Sequence, residues 1–381
     1  MKFLKRFFLT LIILIATTSL LAVITGHSHL FKAVSTTYLL GRTGPSIDDY
    51  QYFENREIPT KEHQTWKVSK KYNQYQNEKL HQEIEKHNPA AFVIVKDNEL
   101  IHEEYWDEYN EDSQSNSFSM AKSYIGLLIG IAIQEGKISS VNDPVGDYLP
   151  QYKNNPELTI KNLLTMSSGI DFDESYNSPF GHMAKAYYGT DLKELNKDYK
   201  VASTPGKEWT YLGGNTIILG FIIEKVTGQS IAEYFSDKIW KKIGAKNNAL
   251  WTLDKENGTE KAYCCFYSNA RDYAKIGQLL LNNGMWNGER VIKESYIKEA
   301  TTPAYHLKAN GKPVDFYGYQ IWTAYYKDLD IYFFRGILGQ YTIMIPEKNI
   351  VIVRLGHERS SNFINGNPSD FYSYIDFALG M

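Results

Sequence analysis

Ser119-Met120-Ala121-Lys122 puts a hydroxyl and an amine one helical turn apart, on the same face of a helix. A serine oxygen so placed is a potential nucleophile, and the amine beside it can take up its proton. The run that follows, Tyr124-Ile125-Gly126-Leu127-Leu128-Ile129-Gly130-Ile131-Ala132-Ile133, is almost wholly apolar and is stopped by Gly136. It predicts a buried helix, too short to span a membrane. Ser119 then stands at the helix N-terminus, where free N–H groups and the positive end of the macrodipole favour a developing oxyanion. The same four residues also read as a helix cap followed by a surface lysine. Ser-x-x-Lys should arise by chance about once in a chain of this size. A second instance, Ser295-Tyr296-Ile297-Lys298, lies among Lys293, Glu294 and Glu299 and predicts a solvated helix face.

The elements that must position these residues can be read from periodicity. Lys79 to Lys86 predicts a helix. Ala91 to Val95 and Glu99 to Trp106, joined by Lys96-Asp97-Asn98, predict a hairpin. From Pro144 to about Leu281 the pattern is mainly helices and loops, with an apolar helix at Thr216 to Val226 and an amphipathic one at Asp272 to Leu281. Strands return at Phe316 to Trp322, Ile331 to Phe334, Tyr341 to Ile345 and Ile350 to Arg354, before a closing helix at Asp370 to Leu379. Strands at both ends with helices between them predict an α+β (α/β) fold. Its antiparallel sheet draws on both chain ends and is flanked by helices, and a mostly helical lobe is inserted at about 140–285.

The 381 residues carry a net charge of -3, a balance that does not suggest a nucleic-acid partner. Lys2, Lys5 and Arg6 precede an apolar run from Phe7 to Ile24. Residues 1–25 are therefore a signal segment or a membrane anchor. No small-x-small cleavage site follows Leu21, which favours an uncleaved anchor with its basic end cytoplasmic and the rest on the extracytoplasmic (periplasmic) side. Secretion after signal cleavage is the alternative. Residues 26–78 read as an irregular lead-in, and 79–381 as the main domain. Cys264 and Cys265 are the only cysteines. Adjacent residues bridge only with severe strain, so no structural disulfide is expected. The histidines are scattered, and neither a metal nor a cofactor is expected.

In order along the chain stand Ser119-Met120-Ala121-Lys122, Asp143-Pro144-Val145 with Tyr148-Leu149-Pro150, Ile160 to Gly169, Pro205-Gly206 leading to Tyr211, and Gly339-Gln340-Tyr341 before a strand. This set resembles the serine beta-lactamase and penicillin-binding-protein superfamily. It is most similar to the class C beta-lactamase-like serine hydrolases, the branch of esterases and nylon-oligomer hydrolases. The resemblance covers roughly residues 80–360 and implies a beta-lactamase-like fold.

It also implies that Ser119 is the nucleophile, and that Lys122 and Tyr211 are its proton-handling partners. A phenol beside an ammonium can act as a base. The family's Tyr-x-Asn is not kept here, since the run is Tyr211-Leu212-Gly213-Gly214-Asn215. Asn215 could replace the missing asparagine as a substrate-binding group or cap the next helix. The third motif, usually Lys-Thr-Gly or His-x-Gly, falls on Ile337-Leu338-Gly339. An isoleucine cannot pair with a substrate carboxylate. Arg335 could supply the charge, although strand alternation can point it away. The backbone N–H groups of Ser119 and Gln340 are then the expected oxyanion hole. Gly339, Gln340 and Tyr341 are expected to line the substrate site.

The resemblance implies a serine hydrolase that forms an acyl-enzyme on ester or amide substrates, some of them peptide-derived. The alternatives are a penicillin-binding D-alanyl peptidase or beta-lactamase, and a binding or sensor protein that acylates slowly or not at all.

Overall fold

The computed structural model describes residues 1–381. The helices that matter for the site are α1 (Lys2–Ile24), α2 (His29–Thr36), α3 (Glu78–Glu85), α4 (Met120–Gln134), α5 (Gly213–Thr227), α6 (Ala270–Leu281), α7 (Glu294–Ala300) and α8 (Ser369–Leu379). The strands are β1 (Asn55–Ile58), β2 (Lys67–Val68), β3 (Pro89–Lys96), β4 (Glu99–Tyr105), β5 (Ser115–Asn116), β6 (Ala249–Thr252), β7 (Phe266–Ser268), β8 (Trp322–Tyr326), β9 (Leu329–Gly336), β10 (Gln340–Ile345) and β11 (Ile350–Gly356).

Successive side chains of a strand point to opposite faces, and the apolar runs of β3, β10 and β11 therefore feed two cores at once. Val93, Val95, Met344, Val351 and Val353 join the larger core with α4, α5 and α6. Phe92, Ile94, Ile343, Ile345 and Ile352 face the other side, where Phe371, Ile375 and Phe377 of α8 cover them. These strands belong to one sheet in the order β8-β9-β10-β11-β3-β4-β2. Its pairs are antiparallel, except that β2 runs parallel to β4. The two ends of the sequence meet where β11 pairs with β3, Ile352 opposite Ile94. The hairpin between β3 and β4 turns on Asp97 and Asn98, both left-handed, as a two-residue turn of this kind requires. This is the architecture expected from the sequence, including a largely helical stretch between the sheet-forming ends.

Two segments differ from the sequence reading. Phe316 to Trp322 is not a strand; the strand begins at Trp322 and runs to Tyr326. Gln320 is left-handed, and a Cβ at Gly318 would collide with the Ala300 carbonyl, so residues ahead of Trp322 turn instead of extending. Residues 26–78 are also more ordered than a lead-in. They contain α2, and β1 pairs with β6 in a second sheet of order β1-β6-β7-β5. Ile47 and Ile58 are fully buried.

Helix α4 is buried on nearly all sides, which explains its unbroken apolar run from Ile125 to Ile133. Its glycines allow close approach: a Cβ at Gly130 would collide with the Tyr296 ring of α7. Helix α1 is the opposite case. It is apolar, 23 residues long, and buries none of its side chains against the rest of the chain. It is long and apolar enough to cross a membrane.

Candidate active site

The turn into α4 brings the reactive groups together. Phe118 takes φ +44 and is nearly fully buried. Its N–H donates to Asn116 Oδ1 at 2.8 Å, and the Ser117 N–H donates to the Phe266 carbonyl at 2.8 Å. Ser119 follows as the N-cap of α4, but its side chain makes no capping hydrogen bond. Its hydroxyl is therefore free for another partner, and its N–H has no acceptor in the protein.

That partner is Lys122. The residue is 1% exposed, and its Nζ donates to Ser119 Oγ at 2.9 Å and to the Tyr263 carbonyl oxygen at 2.9 Å. The amine also lies 5.0 Å from the centroid of the Tyr211 ring. Tyr211 is half-buried just ahead of α5 and packs among Trp209, Tyr317 and Trp322. The three residues expected to carry chemistry thus meet around one amine.

Ser119 opens onto a largely apolar pocket walled by Phe118, Met183, Tyr187, Tyr263, Cys264 and Ile337, with Tyr176 at its edge. Glu174 stands beside it. Its Oε2 accepts from the Gly213 N–H at 2.6 Å, at the start of α5, and its Oε1 accepts from the Tyr176 hydroxyl at 2.8 Å. Burial pushes the Glu174 carboxyl up, and the nearby Lys122 charge opposes that shift. Neither Glu174 nor the Tyr263 carbonyl stood out in the sequence. Glu174 lies in an aperiodic loop, and a backbone acceptor has no residue-type signature.

The third-motif residues lie in the turn that follows β9. β9 ends at Gly336, and residues 337–339 form a tight turn with Leu338 and Gly339 left-handed. A Cβ at Gly336 would collide with the Ser117 carbonyl, so the end of β9 presses against the turn that carries Ser119. Ile337, and not Gln340, lines the pocket. Gln340 is fully buried and turns away: its amide nitrogen donates to the carbonyls of Ile337 and Gly356, and its oxygen accepts from the Gly356 N–H. Tyr341 is fully buried in the core under α8, against Phe371 and Tyr374. Gly339 backs onto Arg354. Asn215 is also fully buried, its Nδ2 3.3 Å from Met166 Sδ and its Oδ1 unpartnered. The side chains of Gln340, Tyr341 and Asn215 are thus buried, and Ile337 holds the place on the pocket wall.

Arg335, on β9, is held in place by its neighbours. Its guanidinium stacks on Trp322, Cζ 3.7 Å from the ring centroid, and Nη1 donates to Asn367 Oδ1 at 3.0 Å and to the Gly366 carbonyl at 3.2 Å. Burial lowers its pKa from the usual guanidinium value, and the ionisable groups acting on it are Tyr341, Tyr211, Arg359 and Tyr317, with no carboxylate among them.

The cysteines bring a further correction. Cys264 and Cys265 are bonded to each other, against the expectation of no disulfide. The reason is local: Cys265 takes φ +67, and this left-handed turn brings the two side chains to the same side.

A family model described as Beta-lactamase matches residues 78–367. Among curated proteins, the chain is 28% identical over 232 residues to the 6-aminohexanoate-dimer hydrolase of Paenarthrobacter ureafaciens, covering 58% of each chain. The match therefore spans little more than half of that relative. Among solved structures, one provisionally named a 6-aminohexanoate-dimer hydrolase, from Bacillus anthracis, superposes with TM-score 0.76 at 23% identity over 88% of this chain and 92% of that one. A family VIII carboxylesterase superposes with TM-score 0.62 at 18% identity over 83% and 99% of the two chains. At these identities the superpositions speak for the fold.

Proposed function

Because the chain belongs to the beta-lactamase family, we propose that it is a serine hydrolase that cleaves esters or amides through an acyl-enzyme on Ser119. The observation that carries this reading is the 2.9 Å contact between Lys122 Nζ and a serine hydroxyl that caps nothing. Ser119 Oγ attacks the substrate carbonyl, and its proton passes to Lys122 Nζ. The ammonium so formed is stabilised by the Tyr263 carbonyl and by the nearby Glu174 carboxylate. Tyr211 carries the proton on to the leaving group, and a water then reverses the sequence to release the acid. The N–H groups of Ser119 and Ile337 hold the oxyanion, replacing the pair expected from the sequence.

Arg335 narrows the substrate class. A guanidinium stacked in place, anchored through Nη1 and without a counter-ion suits a carboxylate on the substrate. The same feature favours a second reading, a D-alanyl peptide hydrolase or penicillin-recognising enzyme, whose substrates also end in a carboxylate. Helix α1 anchors the protein in the membrane with Lys2, Lys5 and Arg6 on the cytoplasmic side and the catalytic portion outside.

The test is modification and turnover. Fluorophosphonate should label Ser119, and Ser119→Ala should abolish hydrolysis of short-chain p-nitrophenyl esters. Unchanged turnover by Ser119→Ala would sink the assignment. Stable labelling of Ser119 by a fluorescent penicillin would move the reading to the second one.

A further inference from the structure

The bonded pair Cys264–Cys265 has no part in the chemistry above, yet it lies between the two contacts that set the site's geometry. On one side, the Tyr263 carbonyl is the second acceptor of Lys122 Nζ, at 2.9 Å. On the other, the Phe266 carbonyl accepts from the Ser117 N–H at 2.8 Å, two residues before the nucleophile. Four consecutive residues, 263–266, thus touch both the amine and the turn that carries the hydroxyl. Between those contacts the backbone must pass through Cys265 in the left-handed region, which a non-glycine residue enters only when its surroundings impose it. The carbonyls of the pair are pinned from outside, Cys264 O by Trp251 Nε1 at 3.0 Å and Cys265 O by the Thr252 N–H at 2.9 Å. The covalent bond closes this turn from the inside. Cys264 also lines the pocket onto which Ser119 opens, so a small reductant entering the pocket can reach the pair.

We propose that the Cys264–Cys265 bond is a positioning device for Lys122. It holds the left-handed turn that presents the Tyr263 carbonyl to the amine, so that acylation at Ser119 depends on the oxidation state of the pair. A dithiol such as dithiothreitol breaks the S–S bond. Two electrons and two protons pass to the sulfurs, giving two thiols, and the dithiol closes to its cyclic disulfide. Freed of the bond, Cys265 relaxes out of the left-handed region, and the Tyr263 carbonyl moves off Lys122 Nζ. The proposal rests on the hydrolase reading above.

The experiment uses the full-length protein in detergent. Alkylation with iodoacetamide and mass spectrometry count the thiols, and fluorophosphonate labelling and p-nitrophenyl acetate hydrolysis are followed with and without dithiothreitol. No thiols in the untreated protein and two after reduction are expected. With them, kcat should fall about tenfold, the effect of one lost hydrogen bond to a charged group, with KM little changed. The pH profile of kcat should shift, because the general base has lost an acceptor, and reoxidation should restore both. Cys264→Ser/Cys265→Ser should show the low kcat in either condition. Cys264→Ala/Cys265→Gly, which admits the left-handed turn without the bond, should recover part of the activity. Two free thiols in untreated protein would overturn the proposal. So would an unmoved kcat and pH profile once two thiols are counted, or a lowered melting temperature as the sole change. Failure of fluorophosphonate to label Ser119 in the oxidised protein would instead overturn the hydrolase reading.

Discussion

Phe118, at φ +44, is the residue on which the turn that carries Ser119 depends. Such a conformation costs a bulky residue on the order of 1–3 kcal/mol, and the ring's burial in the main core holds it there. The result is a serine whose hydroxyl caps no backbone N–H and instead accepts from Lys122 Nζ. Gly336 completes the arrangement by letting β9 touch the Ser117 carbonyl. Gly336→Ala should therefore lower kcat about 10²-fold, the effect of a displaced oxyanion donor, while circular dichroism stays that of the wild type. The carboxylate-binding role proposed for Arg335 can be tested on substrate choice. Arg335→Ala should raise KM about 10- to 100-fold for esters that carry a carboxylate, the loss of a charge-assisted hydrogen bond. Neutral p-nitrophenyl esters should be little affected, and equal losses on both classes would exclude the carboxylate role.

Single elements carry their own consequences. β4 places His102, 7% exposed, against Phe92 and Phe377, with neither ring nitrogen hydrogen-bonded. Burial first, then the neighbouring His81, pushes its pKa down to about 4, with Glu103 opposing. In the unfolded chain an imidazole titrates near 6.5. The unfolded state thus binds the extra proton between these values, and stability is lost as pH falls from about 6.5 towards 4. The slope is at most about 1.4 kcal/mol per pH unit. Urea unfolding at several pH values should show His102→Phe flattening this loss while keeping the ring packing. In α4, Gly130 lets the helix lie against Tyr296. Gly130→Leu should cost about 1–3 kcal/mol through overpacking, read as a lower urea midpoint.

At the scale of the molecule, the sheet ties residues 67–105 to residues 322–356, so neither end can fold on its own terms. The segment after α1 is part of that body: β1 joins the second sheet, and Ile58 is fully buried. A chain starting at Gly26 should therefore be soluble without detergent and keep the kcat of the full protein. A chain starting at Gln64, which lacks β1, should melt several degrees lower, by loss of a buried strand. Retention of the shorter chain's melting temperature in a thermal scan would show that β1 is dispensable.

The sequence by itself determined the elements and the pairing of Ser119 with Lys122. Apolar periodicity marked α4, α5, α6 and the strands β3, β10 and β11. The Ser119–Lys122 spacing already implied that hydroxyl and amine share a helix face, because three residues are about one turn whatever surrounds them. Only the tertiary structure decided which residues complete the site. Whether Ile337 or Gln340 faces Ser119 depends on where β9 ends, and a shift of register leaves the residue types unchanged while redirecting their side chains. Glu174, the Tyr263 carbonyl and Arg335 reach Lys122 and Tyr211 from loops and a strand distant in sequence. The Cys264–Cys265 bond rests on one left-handed residue. Local patterns report what a segment is, whereas contacts between distant segments arise only when the sheet closes.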